Sequence, residues 1–223
     1  MGSVISLRDV AKSYLGRQAA VGISVLQHFN LEIRAGEFIA LTGASGVGKT
    51  TVLNLIGGLD RPDNGEIIVG NTALHRMTSR QLARWRSSQI GFVFQSHNLL
   101  GMLSAAENVE LPLFLKRLSS TVLQRRVADA LMQVGLSDRA HHRPAQLSGG
   151  QQQRVGIARA LVTDAPILLC DEPTGNLDRN TANGIVGLLA DVARSGKTVV
   201  MVTHDEPAAE YATRRVQLTA GAS

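Results

Sequence analysis

The sequence predicts an α/β fold: a phosphate-loop parallel-sheet core, an N-terminal antiparallel β part and a helical subdomain. Three observations carry this. Gly43-Ala44-Ser45-Gly46-Val47-Gly48-Lys49-Thr50-Thr51 fits G-x-x-x-x-G-K-[ST], a phosphate-binding loop. It sits between a short apolar run, Glu37 to Thr42, that reads as a buried strand and a stretch, Thr51 to Ile56, apolar at helical spacing and stopped by Gly57-Gly58. Two strongly apolar runs, Ile167 to Cys170 and Thr198 to Thr203, flank a helix from about Arg179 to Arg194. Strand–helix–strand alternation of this kind implies parallel pairing with right-handed crossovers.

Taken in order, Val4 to Val10 reads as an edge strand, followed by Lys12-Ser13-Tyr14 and a polar hairpin through Gly16 and Gly22. Met1 to Ser6 also fits an N-myristoylation pattern, but the start of this strand is the simpler reading. Val25 to Ile33 is a second strand, and Ala35-Gly36-Glu37 a tight turn into the strand before the loop. Arg61-Pro62-Asp63-Asn64-Gly65 is a turn by composition, leading to a short strand at Glu66 to Val69. A polar helix is expected over Thr78 to Ser87, then a buried strand, Ile90 to Gln95, with a polar end. From Ala105 to Arg139 the texture is helical, with Leu123, Val127, Ala130, Leu131 and Val134 on one face. Ser148 caps a helix from Gly150 to Val162.

The 223 residues suit one domain, and 44% apolar content fills a real core. Aromatics at 4% argue against an aromatic-lined nucleic-acid surface. A net charge of +5 comes without any block of consecutive Lys or Arg, so it reads as solvated surface first and as a membrane-proximal bias second. Cys170 is the only cysteine, which rules out an intrachain disulfide and fits a reducing cytoplasm. No apolar run approaches the roughly 18–20 residues of a membrane helix.

Three constellations carry chemistry. In the first, glycines let successive backbone N–H groups converge on one anion, and the helix start adds its positive end. Lys49 reaches the β- and γ-phosphates and the Thr50 hydroxyl ligates Mg2+. In the second, four apolar residues deliver Asp171 to the carboxyl end of a buried strand, where ligands of parallel sheets gather. Asp171 there holds magnesium and its neighbour Glu172 polarises an attacking water; alone, the pair also reads as an ordinary charged turn. The third is Leu147-Ser148-Gly149-Gly150-Gln151-Gln152-Gln153-Arg154, a second anion cradle at a helix start. Two cradles in one chain are economical if the second serves a nucleotide held by another copy.

On these motifs the chain resembles the ATP-binding subunits of ABC transporters, over essentially its whole length. Leu147 to Gln151 reads LSGGQ, the signature that separates this family from other phosphate-loop ATPases. Ile90 to Gln95, Glu107 to Leu113 and Asp171 to Asp178 (DEPTGNLD) are most similar to the lipoprotein-release and macrolide-export branch. The resemblance implies a RecA-like core over 1–95 and 160–223, with a helical subdomain over 96–159 that carries the signature. It implies ATP and Mg2+ as cofactors, with Tyr14 stacking on adenine. Gln95 then contacts magnesium or its water, so Thr50, Gln95 and Asp171 form the metal set. Ser148, Gly149, Gly150 and Gln151 cradle the γ-phosphate on an opposing subunit. Glu172 is the catalytic carboxylate, Asp178 belongs to a loop crossing the dimer interface, and His204 contacts the γ-phosphate.

The implied partners are ATP, a second copy and an integral membrane permease subunit, with no specific nucleic acid. The implied place is the cytoplasmic face of the inner membrane. The sequence departs from the family pattern at Val47 and Thr50, where serine is frequent, at Cys170, often alanine, and at Gly101, where this branch often has proline. Gly156 inside the signature helix should cost roughly 1 kcal/mol against alanine unless close packing requires it. Two other classes stay open: an ABC-type ATPase serving cell division or a soluble partner, and a small-molecule kinase. The signature and the lack of an obvious acceptor lid argue against the kinase.

Overall fold

A computed structural model describes residues 3–15, 22–114 and 116–219. Its elements in chain order are β1 (Ser3–Leu15), β2 (Gly22–Arg34), β3 (Phe38–Thr42), α1 (Lys49–Ile56), β4 (Asn64–Val69) and β5 (Thr72–Ala73). Then come α2 (Ser79–Gln89), β6 (Ile90–Phe94), α3 (Ala105–Glu110), α4 (Ser120–Gln133) and α5 (Gly149–Leu161). β7 (Ile167–Asp171), α6 (Arg179–Arg194), β8 (Thr198–Val202), α7 (Glu206–Ala209) and β9 (Arg214–Gln217) complete it. The Gly16 end of the expected hairpin and the Met1-Gly2 pair of the lipidation pattern lie outside the described residues.

The strands form two sheets: an antiparallel one ordered β2-β1-β4-β5, and a second ordered β6-β7-β8-β3-β9 whose pairs are all parallel. The period-2 alternation of the parallel strands divides the core in two. Phe38, Ala40, Leu168, Cys170, Val199 and Met201 face one cluster, which α3, α4, α5 and α6 complete. Ile39, Leu41, Ile167, Leu169, Val200 and Val202 face the other, shared with α1 and the antiparallel sheet. Both faces of the parallel sheet are covered at β3, β7 and β8, which is why these strands read as continuous apolar runs. The helix caps are local and strong. Thr78, Ser104 and Ser148 each form a reciprocal capping box with the Gln or Glu three residues on, and Asp178 caps α6.

β1 is not the expected edge strand but lies between β2 and β4. β1 and β2 run longer than their sequence pattern suggests. Their pairing carries register shifts around Leu7, Val10 and Lys12, and Asp9 and His28 both adopt positive φ beside them. These irregularities break the apolar alternation without ending the strand. Of the expected face on α4, Val127, Ala130, Leu131 and Val134 are buried, while Leu123 packs at its margin. Cys170 is fully buried, and burial pushes its thiol far above the ordinary range, so it stays protonated. No helix among the described residues is long and apolar enough to cross a membrane.

Candidate functional site

The carboxyl ends of β3, β6, β7 and β8 open on one side, and the predicted phosphate loop joins β3 to α1 there. Gly43, Gly46 and Gly48 all adopt positive φ, which curls the loop. Gly48 is doubly constrained: φ is 104°, and a Cβ would lie 2.7 Å from Val25 Cγ1. Lys49 is 7% exposed, and its ammonium donates to the carbonyls of Gly43 at 2.8 Å and Ala44 at 2.9 Å. Its charge is thus already held across the loop's mouth, within reach of whatever the loop amides bind.

β7 ends on Asp171, and the Thr50 hydroxyl donates to Asp171 Oδ1 at 3.1 Å. Burial pushes the Asp171 carboxyl above its usual range and the adjacent Glu172 charge adds to this, with the Thr50 hydroxyl and Lys49 pulling the other way. A cation at this point would relieve both the burial and the repulsion. One carboxylate, one hydroxyl and the Gln95 amide are hard oxygen donors of the kind magnesium takes, so the donor set fits the ion.

Glu172 sits just past β7 in a left-handed conformation, φ 48°, with its amide donating to Val202 O at 3.0 Å. Its side chain is 17% exposed, and His204 Nδ1, past the end of β8, lies 2.8 Å from Oε2. That contact is not aligned as a hydrogen bond, so the buried Oε2 has no hydrogen-bond partner among the described residues. A buried carboxylate oxygen is costly unless a partner meets it, and His204 Nδ1 stands at that range. The Glu172 side chain faces the same space as the loop.

That space is a cavity of about 510 Å³, lined by Tyr14, Val25, Ser45, Gly46, Gly48, Lys49, Thr50, Thr51, Gln95, Glu172 and His204. Ten of the residues singled out in the sequence as nucleotide or catalytic groups thus share one wall with Val25. Gln95 reaches it from the end of β6, its amide packed against the Cα of Gly175, where a Cβ would fall 2.6 Å from Nε2. Tyr14 arrives from β1, 39% exposed, with its hydroxyl donating to Asp60 Oδ2 at 2.7 Å.

The second cradle lies elsewhere. Ser148, Gly149, Gly150 and Gln151 do not line the cavity. Ser148 and Gly149 are exposed, and the Ser148 hydroxyl accepts from the Gln151 amide at 3.3 Å while its own N–H donates to Gln151 Oε1 at 2.9 Å. Gly150 is required by packing: a Cβ would meet Thr181 Cγ2 at 2.2 Å. Thr181 is itself pinned, its hydroxyl donating to Asp178 Oδ2 at 2.6 Å, and that bond with the Thr181 and Asn180 amides holds the Asp178 carboxyl below its usual range. The signature turn and the Asp178 cap therefore form one rigid surface, separate from the phosphate loop of the same chain.

The helix that starts at the signature turn is bonded to the chain on either side of Gln95. Buried Gln153 on α5 donates from Nε2 to Phe94 O at 3.3 Å, next to Gln95. Arg159 donates to the carbonyls of His97 and Asn98, each at 2.6 Å, holding two consecutive left-handed residues. Sequence reasoning gave no role to Val25, Asp60, Gln153 or Arg159; Gln153 lies in the signature stretch, the other three lie in no motif that names a ligand, and of the four only Val25 lines the cavity.

The chain matches the ABC transporter family model over residues 26–175. It is 45% identical over 218 residues to the lipoprotein-releasing system ATP-binding protein LolD of Chromohalobacter salexigens, covering 97% of this chain and 92% of that one. It is 44% identical over 219 residues to the macrolide export ATP-binding/permease protein MacB of Pectobacterium atrosepticum, covering 98% of this chain and 33% of that protein. The chain spans about a third of the length of the MacB proteins it matches. Among solved structures it superimposes on a dimeric bacterial ABC transporter cassette, MJ0796, with TM-score 0.88 and 44% identity, covering 97% of this chain and 95% of that one. The same cassette in a dimeric post-hydrolysis state bound to ADP and Pi gives TM-score 0.88 at 43% identity, with the same coverage.

Proposed function

The chain belongs to the ABC transporter ATP-binding family, and from that premise we propose that it is the ATP-hydrolysing motor of a membrane complex of the export or mechanical-coupling type. The observation that carries the reading is the shared cavity of Lys49, Thr50, Gln95, Glu172 and His204, with the signature turn on a separate exposed surface. Such a cavity completes itself by meeting Ser148 and Gly150 of a second copy. Two ATP molecules then lie between two chains arranged head to tail. Closure depends on the γ-phosphate, which is the end that the signature reaches, and its loss lets the pair open.

In each site the loop amides and Lys49 hold the phosphates and offset the charge that builds on the transferred group. Magnesium, held by Thr50, Asp171 and Gln95, would add positive charge across the phosphate oxygens. Glu172 Oε2 takes the hydrogen of the attacking water, and His204 closes over the same region. Tyr14 supplies the base platform. Work then passes to a membrane subunit through the loop after Gln95 and the helical part, roughly 96–159, so the chain operates at the cytoplasmic face of the inner membrane.

The test is recovery from native membranes with tagged Glu172→Gln chain in ATP and magnesium. An integral membrane protein recovered with ATP and lost without it supports the motor. Recovery of soluble or nucleic-acid-bound partners alone overturns the transporter part and leaves the ATPase.

A further inference from the structure

Tyr14 is held by groups that no phosphate-loop chemistry uses. Asp60, in the turn after α1, receives the Tyr14 hydroxyl on Oδ2 at 2.7 Å and the Lys12 ammonium on Oδ1 at 2.9 Å. Lys12 is 9% exposed and also donates to Arg61 O at 2.7 Å, with Asp63 Oδ1 at 3.7 Å. A lysine this buried is rare unless paired, and here every visible interaction of its ammonium points into one cluster. The same ammonium stands 5.1 Å from the Tyr14 ring centroid. One face of the ring is therefore occupied by a cation. Tyr14 lines the cavity and Lys12 does not, so the face left over is the one turned to the nucleotide.

The cluster also ties the ring to the phosphate loop. The Tyr14 hydroxyl lies 3.5 Å from Thr51 Oγ1 in the first turn of α1, and Asp60 follows the far end of that helix. The Ser13 amide donates to Asp63 Oδ2 at 2.6 Å and the Asp63 amide to Ala11 O at 2.9 Å, which strap the end of β1 to the same turn. The ring is fixed in tilt by Lys12 and Asp60 and in distance by α1.

We propose that Lys12 and Asp60 are positioning residues for the nucleotide base: they clamp the Tyr14 ring at a set distance and tilt from the phosphate loop, so that base and phosphates are bound together. This rests on the reading of Tyr14 as the base platform. A free tyrosine at a strand end samples rotamers and must be ordered by each incoming base. A clamped one presents its open face in advance.

The clamp predicts a loss confined to ligands that carry a base. Binding to the full chain is measured by competition against a fluorescent ATP analogue, with magnesium, for ATP and for inorganic tripolyphosphate. Tyr14→Ala weakens ATP by about 5- to 150-fold, the worth of one stacked base. Asp60→Asn and Tyr14→Phe each weaken it by about 3- to 10-fold, and together they do no more than the larger single change, because they break one arrangement. None of the three alters tripolyphosphate binding. Tyr14→Phe removes one oxygen and keeps the ring, so it tests the clamp even where Asp60→Asn folds poorly. Wild-type ATP affinity in Asp60→Asn and Tyr14→Phe, with Tyr14→Ala impaired, overturns the clamp and leaves the platform. Wild-type ATP affinity in Tyr14→Ala removes the platform itself. Equal weakening of ATP and tripolyphosphate in Asp60→Asn assigns the cluster to the phosphate loop and overturns the proposal.

Discussion

At the scale of single residues, Glu172 departs furthest from ordinary protein behaviour. It holds a left-handed conformation without being glycine, and its buried Oε2 has no aligned hydrogen bond among the described residues, only the His204 contact at 2.8 Å. Both features cost stability, and strain of this kind persists where the surrounding structure fixes it. Here the amide bond to Val202 O fixes it. The two neighbouring acids have different surroundings: Asp171 meets the Thr50 hydroxyl, and Glu172, just past the end of β7, lines the cavity. Replacing Glu172 with Gln keeps the shape and removes the proton acceptor. Hydrolysis should fall by about 10²- to 10⁴-fold while ATP affinity stays within about twofold. Steady-state phosphate release and equilibrium nucleotide binding measure the two; equal loss of both would place Glu172 in binding instead.

At the scale of elements, what was legible in the sequence follows what each strand or helix faces. β3, β7 and β8 are covered on both sides, so each carries four consecutive apolar residues with a polar residue only at one end, and the runs stand out. α6 was expected from Arg179 to Arg194 and has those bounds, because Asp178 caps its start. The phosphate loop, Asp171, Glu172 and His204 were readable because each is local to a strand end. β9 was not readable: Arg214-Arg215-Val216-Gln217 is polar and lies at a sheet edge. Its place depends on backbone pairing with β3 and on Arg214, which donates to Glu37 at 2.6 and 3.2 Å. The Tyr14–Asp60 contact joins residues 46 apart through side chains alone, and no local pattern records it. Gly156 remains unexplained, since a Cβ there would meet its nearest neighbour, His97 O, at an ordinary 3.7 Å.

Glu37 gives this scale its own test. Burial alone would raise its carboxyl, but bonds from Arg214 and the Arg34 amide, with both charges, outweigh it and hold it below its ordinary 4.5. A depressed carboxylate contributes stability above its unfolded value and loses it as pH falls through the folded one. Wild type should therefore exceed Glu37→Gln by about 1 kcal/mol at pH 7 in urea unfolding. That margin should be constant down to about pH 5 and shrink as the solution becomes more acid. A margin unchanged at pH 2 would mean that the charge contributes nothing.

At the scale of the whole molecule, the parallel sheet separates two cores and gathers one reactive edge, but it leaves the two anion cradles on different surfaces. The phosphate loop opens on the cavity, while the signature turn projects from α5 beside the Asp178 cap, where Gly150 packs against Thr181 with no room for a Cβ. A rigid cradle aimed away from its own chain's nucleotide calls for a second chain. A solved cassette of this fold, 44% identical to the chain, is a dimer. The direct measurement is the sedimentation of Glu172→Gln chain with and without saturating ATP and magnesium. Twice the chain mass of 23.8 kDa with ATP, and the single mass without it, is the predicted result. A single chain in saturating ATP, with nucleotide bound, would contradict the shared site.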